Sequence, residues 1–585
     1  MWYTGWQGSK ISNYSQKYVS LRGIRSHNMK NQTLLLSILC LLSAILLSIP
    51  FLVPHTGAAA LFAFLPLLAA ERVAYLTGRK RFWVFHYSTF VLWNAFTTFW
   101  VCNATVGGGV FAVLANALQM SVVFGVFRLS RRVFRGSLPY IFLACAWIAW
   151  ERFYFSAQIS WPWLTLGNSF ARTLSLCQWY EITGSLGGSL WIWACNLSLF
   201  GIICALSDGS FTLWNSKAKG MALGMYALLL VGPMVASGIM YRNYEEKEDP
   251  LEVFIAQPNL DPYQKFQSLT QDQQNAILCD LLVDGLKDRK VSPVDTAKYE
   301  KGLSSPILAL FPETCTSDIV ATNISESRTF RRFSSLLSDY PGVNLLFGAT
   351  SREYFQGKER PSETVYKVGE DLWLQSHNSA VMTDGTARSE IFHKSKLVVG
   401  VEKTPYPAFF RRLDDLLGGV MGRDIGQKEI SDLTVRSYSG DGSATETPVG
   451  CAICYESVYG DYCRGYIQKG ARCLAIITND AWWGNTPGYR QHLSYASLRA
   501  IETRRSIARC ANTGISAIIN QRGDITQQSS WWERQTLRGS VNLSDYQTFF
   551  VRTGDVPGKV CSLVFILLFL YMIVGLITSK GGRRS

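Results

Sequence analysis

Charge is what this 585-residue sequence has least of: Asp, Glu, Lys and Arg make up only 17% of it, against about 25% in a soluble globular domain. Histidine is scarce as well, with six in the whole chain. So little charge, beside 48% hydrophobic and 13% aromatic residues, excludes a disordered, collagen-like or coiled-coil chain. The charge that remains is unbalanced, with 57 Lys+Arg against 43 Asp+Glu and a net +14. Nor is the deficit spread evenly. No Asp, Glu, Lys or Arg occurs in 32–70, 82–127, 136–150, 182–207, 220–241 or 560–579. A bilayer-spanning helix needs about 20 mostly apolar residues, so the first two stretches can each hold two. Their interruptions are Pro50–Pro54 with Gly57, and Asn103–Gly109. Eight spans are therefore predicted, near 32–53, 57–76, 83–102, 108–128, 137–156, 184–206, 220–241 and 560–579.

Lys and Arg gather on the cytoplasmic side of membrane proteins. Lys10, Lys17, Arg22, Arg25 and Lys30 precede the first span with no acid among them. Alternation then puts Arg79-Lys80-Arg81, Arg128 to Arg135, Lys217 with Lys219, and Lys580, Arg583 and Arg584 on the same face. Both termini are expected to be cytoplasmic, in a bacterial inner membrane. The first apolar run continues into a full span, which reads as an uncleaved anchor rather than a signal peptide. No basic stripe with interleaved aromatics lies outside the spans. The surplus positive charge thus points to topology and lipid headgroups, not to nucleic acid.

Four segments follow: a basic N-terminus (1–31), seven spans (32–241), a polar segment (242–558), and an eighth span with a basic tail (559–585). The polar segment alternates β-rich runs such as Leu251–Ala256, Asn344–Phe347, Ala380–Thr383, Leu474–Thr478 and Ser516–Asn520 with helical patterns at Gln271–Lys287 and His492–Arg505. That alternation reads as a layered α/β domain. By the charge pattern it lies on the periplasmic side, where disulfides are permitted. Its seven cysteines leave at least one thiol unpaired.

Cys451-Ala-Ile-Cys454 has the spacing of a redox or metal pair, but a strand precedes it and no second ligand pair exists. His377, His393 and His492 are far apart in sequence. Cys454, at the end of the apparent strand Val449–Ile453, could instead be a nucleophile presented at a sharp turn, which needs a base and oxyanion donors. No histidine has a signature placing it nearby, so a carboxylate and a lysine are considered. Glu313 ends the apolar run Leu308–Phe311, and Lys394 and Glu402 fall in Phe392-His-Lys-Ser-Lys-Leu-Val-Val-Gly-Val-Glu402. Taken singly, each also fits a solvated surface charge.

In this order the three strings resemble the nitrilase (carbon–nitrogen hydrolase) superfamily, with its Glu-Lys-Cys triad. Phe254-Ile-Ala-Gln-Pro-Asn259, Ile476-Ile-Thr-Asn-Asp-Ala-Trp482, Glu502-Thr-Arg-Arg505 and Asn512-Thr-Gly-Ile-Ser516 extend the likeness over about 251–545. Such a domain between seven helices and an eighth, with Leu92–Trp100, Trp161–Gly167 and Arg552–Asp555, resembles the apolipoprotein N-acyltransferase family. The resemblance implies an αββα sandwich on a polytopic helical bundle, and neither cofactor nor metal. It implies acyl transfer from a membrane phospholipid to the α-amine of a diacylglyceryl-cysteine in an apolipoprotein, by a ping-pong route through a cysteine thioester. Glu313 would be the base, Lys394 the oxyanion stabiliser and Cys454 the nucleophile; Lys396 is the competing lysine. Glu402 would hold Lys394, Tyr455 and Glu456 would shape the nucleophile turn, and Trp482 would line the acyl pocket. Phe266 stands where the family commonly has a substrate-binding Trp. A Cys451–Cys454 disulfide would abolish activity, so Cys454 is expected to be a thiol. The loops 403–447 and 483–490 would act as mobile arms. The alternative is a membrane-tethered amidase or nitrilase using the same triad on a small amide.

Overall fold

The computed structural model describes residues 29–581 apart from 263–264, 266–267, 290–304, 387, 408–409, 411–420 and 439–442. Phe266, and much of the 403–447 loop including Phe409, therefore lie outside the described residues.

A helix occupies each apolar stretch. These are α1 (Met29–Leu52), a 3-10 turn Gly57–Phe62 leading into α2 (Leu65–Leu76), α3 (Trp83–Thr98), α4 (Val106–Ser130), α5 (Leu138–Tyr154), α6 (Ser185–Ser207) and α7 (Ser216–Asn243). Six of the described helices are long and apolar enough to cross a membrane: Asn31–Leu52, Gly57–Leu76, Val106–Ser130, Ser185–Ser207, Ser216–Asn243 and Val556–Thr578. The helices α3 and α5 are shorter, at 16 and 17 residues. The break expected over Asn103–Gly109 is narrower, because only Thr105 is extended and Gly107–Gly109 already belong to α4. Close approach explains this glycine: a Cβ on Gly109 would stand 2.7 Å from the backbone nitrogen of Cys102. An isolated glycine run reads as a loop, yet here it lets two helical segments touch.

The polar segment folds as two sheets with a helical layer outside each. In chain order its elements are β1 (Pro250–Gln257), α8 (Gln271–Gly285), β2 (Ile307–Leu310), β3 (Thr316–Val320), α9 (Arg328–Leu337), β4 (Val343–Gln356), β5 (Tyr366–Lys367), β6 (Leu372–Thr383), β7 (Ser389–His393), β8 (Leu433–Tyr438) and β9 (Ala444–Ile453). Then come α10 (Gly460–Lys469), β10 (Cys473–Thr478), α11 (Pro487–Thr503), β11 (Ile507–Ala511), β12 (Ala517–Ile519), β13 (Ile525–Gln528), β14 (Gln535–Asn542), the short α12 (Phe549–Thr553), and α13 (Val556–Gly581), which returns to the bundle. The first sheet runs β14-β1-β2-β4-β6-β5, with β3 on β4 and β7 on β6; the second runs β13-β12-β11-β10-β9-β8.

Side-chain alternation separates the layers. From β1, Phe254 and Ala256 join a core with α8 and α9, whereas Val253 and Ile255 face the second sheet. The core between the sheets is continuous with that of the bundle, from Leu36 to Cys510. Helix α11 sits on that seam. Gln491 donates to the carbonyls of Phe51 and Thr97 at 3.2 Å and accepts from Trp163 Nε1 at 2.7 Å. The backbone N–H of Ser185 donates to Glu502 at 2.9 Å, and Arg504 is paired with Glu181. Buried polar groups of the outer domain thus find their partners on the bundle, as burial requires.

Candidate active site

Three strand ends converge. The fully buried β2 runs into Phe311-Pro312-Glu313, β7 into Lys394, and β9 into the 3-10 turn Cys454–Val458. Lys394 Nζ donates to Glu313 Oε1 at 2.9 Å and to Glu402 Oε1 at 2.8 Å. Asn378 on β6 donates to the same two oxygens, each at 2.8 Å, and its carbonyl accepts from Lys394 N at 2.8 Å. The second Glu313 oxygen accepts from Asn479 N at 3.0 Å, and that of Glu402 from Val398 N at 2.7 Å. Lys394 is 1% exposed and Glu313 6%. Burial works against the ammonium, but Glu313 and Glu402 outweigh it and hold the Lys394 pKa well above its ordinary value. Lys394 is therefore a fixed cation. Lys396, by contrast, points at the rings of Tyr459 and Tyr462.

Cys454 has φ +52°, a left-handed conformation that costs a non-glycine residue about 1–2 kcal/mol. Several contacts hold it there. Glu456 accepts from Ile453 N at 2.9 Å, Ser395 N at 2.6 Å and Lys396 N at 3.1 Å, tying the nucleophile turn to the lysine loop. Ser457 Oγ donates to the Cys454 carbonyl at 2.7 Å. Burial pushes the Cys454 thiol well above its ordinary pKa; Glu313 adds to this and Lys394 opposes it. A thiol whose pKa is so raised favours its protonated form and would need a base in order to serve as a nucleophile. None of the fourteen cysteines is in a disulfide, so Cys451 and Cys454 are not bridged.

Tyr455 looks toward the bundle. Its hydroxyl donates to the Ser160 carbonyl at 2.9 Å, and its ring stacks on Trp161 with centroids 5.7 Å apart. Trp161 in turn stacks on Trp163 at 5.1 Å, and Trp100 and Trp483 complete an aromatic wall. Of the adjacent tryptophans, Trp483 joins this wall, while Trp482 is 36% exposed.

A buried network that the sequence reading did not anticipate lies beneath the nucleophile. His492, on α11, has Nδ1 2.9 Å from Asp480 Oδ1 and Nε2 3.0 Å from the Cys454 carbonyl. Asp480 also accepts from Thr478 at 2.8 Å and from Arg509 at 2.6 Å. Cys454, Asp480 and His492 offer ligand atoms within 4.8 Å of one another. The Asp480 oxygens are already committed, and the Arg509 guanidinium fills a cation's place beside them. This donor set suits a hydrogen-bonded ion network rather than a metal. His492 meets the Cys454 backbone, so it acts on the turn's shape. A carbonyl so clamped is poorly legible from sequence, since parallel pairing of β9, β10 and β11 brings the residues together.

Residues 43–198 match the family described as apolipoprotein N-acyltransferase N-terminal domain, and 359–549 match carbon–nitrogen hydrolase. An apolipoprotein N-acyltransferase of Chlorobaculum tepidum is 27% identical over 89% of this chain and 93% of its own length. One from Geobacter metallireducens is 28% identical over 90% and 92%. Among solved structures, Saccharomyces cerevisiae Nit3, a member of branch 10 of the nitrilase superfamily, aligns over 51% of this chain and 93% of its own, at 15% identity and a TM-score of 0.34. The two family models fall in one chain, and relatives named apolipoprotein N-acyltransferase align with it over nearly its full length: the chain joins an apolipoprotein N-acyltransferase N-terminal domain to a carbon–nitrogen hydrolase domain in a multi-pass bacterial membrane protein.

Proposed function

We propose that this acyltransferase moves an acyl chain from a membrane phospholipid to the N-terminal α-amine of diacylglyceryl-cysteine in apolipoproteins, the last step of lipoprotein maturation. Glu313 takes the thiol proton of Cys454, and the thiolate attacks the ester carbonyl. Lys394 donates to the developing oxyanion. Collapse expels the lysophospholipid alkoxide, which recovers the proton from Glu313 and leaves a thioester. The acceptor amine then attacks; Glu313 takes its proton and returns it to the departing Cys454 sulfur as the amide forms. Glu402 holds Lys394, Tyr455 and Glu456 shape the turn, and Trp482 meets the acyl chain.

The observation that carries this reading is the buried Lys394 held between two carboxylates, with Cys454 on a left-handed turn at the end of the neighbouring sheet's strand. The half-buried Trp161, stacked on Tyr455 at the seam with the bundle, favours a lipid-borne substrate over a small soluble amide, so the amidase reading has less support. Both substrates are membrane-anchored, and a site built on the seam brings them together at high effective concentration. The topology proposed with it has eight spans, both termini in the cytoplasm and 242–558 in the periplasm of the inner membrane. The two short helices α3 and α5 fit this count, as does the one-sided placement of Lys and Arg in the loops.

Incubating the purified protein with phospholipid and measuring its intact mass tests the reading. An acyl adduct is expected on the wild type and none on Cys454→Ala. An unchanged wild-type mass overturns the mechanism, and ammonia release from a small amide would favour the hydrolase.

A further inference from the structure

A cavity of about 860 Å³ opens on the flank of the bundle between α4, α5 and α13, away from the triad. Its shaft is apolar, lined by residues such as Val122, Val126, Phe565 and Phe569. Its mouth is charged, with Arg152, Arg464 and Lys559 beside Asp461 and Asp555. Along α13 the distance from Lys559 to Phe569 is ten residues, or about 15 Å at 1.5 Å per residue. That is half of an about 30 Å hydrocarbon core, the depth of one leaflet.

The mouth is not closed on itself. Arg152 Nε stands 3.5 Å from Asp555 Oδ2, and that oxygen is buried without a hydrogen-bond partner. Arg464 donates to Asp461 at 2.8 Å and to the Val551 carbonyl at 3.1 Å, and Lys559 to the Thr553 carbonyl at 2.8 Å. Three cations against two acids leave one net positive charge where a lipid phosphate would lie.

We propose that this groove holds a resident glycerophospholipid, its phosphodiester at Arg152, Arg464 and Lys559 and one acyl chain along α13. This goes beyond the acyl-transfer reading. Neither Cys454, Glu313 nor Lys394 lines the groove, so a lipid seated there is not the donor in the act of transfer. Its effect reaches the nucleophile indirectly: α10, which supplies Asp461 and Arg464, starts two residues after the turn Cys454–Val458. Phe155, another groove residue, meets Tyr459 at 6.1 Å. A headgroup bridging α5, α10 and α13 would brace that turn from behind.

The test uses full-length Cys454→Ala, which removes the proposed thioester chemistry, so that success or failure here is independent of the transfer mechanism. The protein is reconstituted in nanodiscs containing a phospholipid with a photoreactive acyl tail, and the adducts are mapped by peptide. One arm uses a phosphatidylethanolamine probe and the other a phosphatidylglycerol probe. Adducts are expected to concentrate several-fold in 146–156 and 559–569 over α7, which is apolar and largely exposed. Ser562→Trp, which fills the groove, should abolish these adducts and leave those on α7 unchanged. Adducts in both arms mean that the phosphodiester is what is recognised; adducts with the ethanolamine probe alone mean that Asp461 and Asp555 also hold its amine. Equal labelling of α7 and α13 in the parent protein overturns the proposal, and needs no groove variant to fold. Groove labelling that survives in a folded Ser562→Trp protein overturns it too.

Discussion

Replacing Glu456 by glutamine tests whether the nucleophile turn is held by a carboxylate. One Glu456 oxygen accepts from both Ser395 N and Lys396 N, and the other from Ile453 N. An amide keeps one acceptor, so in Glu456→Gln a donor must face at least one of these backbone N–H groups. Hydrogen bonds to charged groups contribute about 1.5–3 kcal/mol each. That equals or exceeds the about 1–2 kcal/mol strain of a left-handed cysteine. The turn should then relax, and acyl-thioester formation in a single turnover at pH 8 should slow roughly 10- to 150-fold. Burial raises the Glu456 pKa to about 7, against three backbone N–H groups that lower it. Acidifying the wild type toward pH 6 should therefore slow it toward the variant's rate. Fold stability should move the other way. A carboxyl whose folded pKa is raised from an ordinary 4.5 stabilises the fold fully below that value, and the contribution fades as pH rises through 7. The span is about 3 kcal/mol. A Glu456→Gln protein with unchanged acylation at pH 8 would refute the reasoning.

Three further outcomes are expected. Gly348→Ala places a Cβ 2.5 Å from the Glu313 Cα and 2.6 Å from the Pro312 carbonyl oxygen; displacing the base should cost roughly 100-fold in acylation rate, and an active variant would remove Glu313 from that role. Lys394→Met leaves two buried carboxylates sharing Asn378, a loss of about 3–5 kcal/mol. The deficit should appear as a lower thermal unfolding temperature than wild type, and an unchanged one would refute the pairing's weight. For Asp480, burial opposes the carboxylate, but Arg509 and His492 outweigh it and lower its pKa. Its contribution to stability is present above the ordinary carboxylate range and lost on acidification, so Asp480→Asn should flatten the acid limb of the unfolding curve between pH 5 and 3.

The strings that carry Glu313, Lys394 and Cys454 were legible in their order along the chain, although each alone also fits a surface charge or a buried cysteine. Six charge-free stretches located the apolar helices, since composition along one run is a local signal. What was not legible depends on pairing between distant segments. Cys454 and His492 are 38 positions apart, and nothing in either string announces that α11 passes beneath β9. Asn378 is one of five consecutive polar residues, Gln375–Ser379, in a long strand, and only β6 pairing beside β4 aims it at Glu313. Trp482 and Trp483 are neighbours on one 3-10 turn, without a periodicity to tell wall from surface.

The first and last strands of the outer domain, β1 and β14, pair from Pro250–Asn542 to Gln257–Gln535. The domain thus leaves the bundle and returns at nearly one point, with strands about 5 Å apart. In synthesis, however, Val556 follows Asn243 by 313 residues, or about 15–60 s at 5–20 residues per second. Throughout that interval the seat of α13 is vacant, although Phe565 and Tyr571 later pack on Phe142 and Phe134 there. The bundle must stay open to the bilayer on that flank until the enzyme's last helix arrives, and closing it completes the lateral wall behind α10.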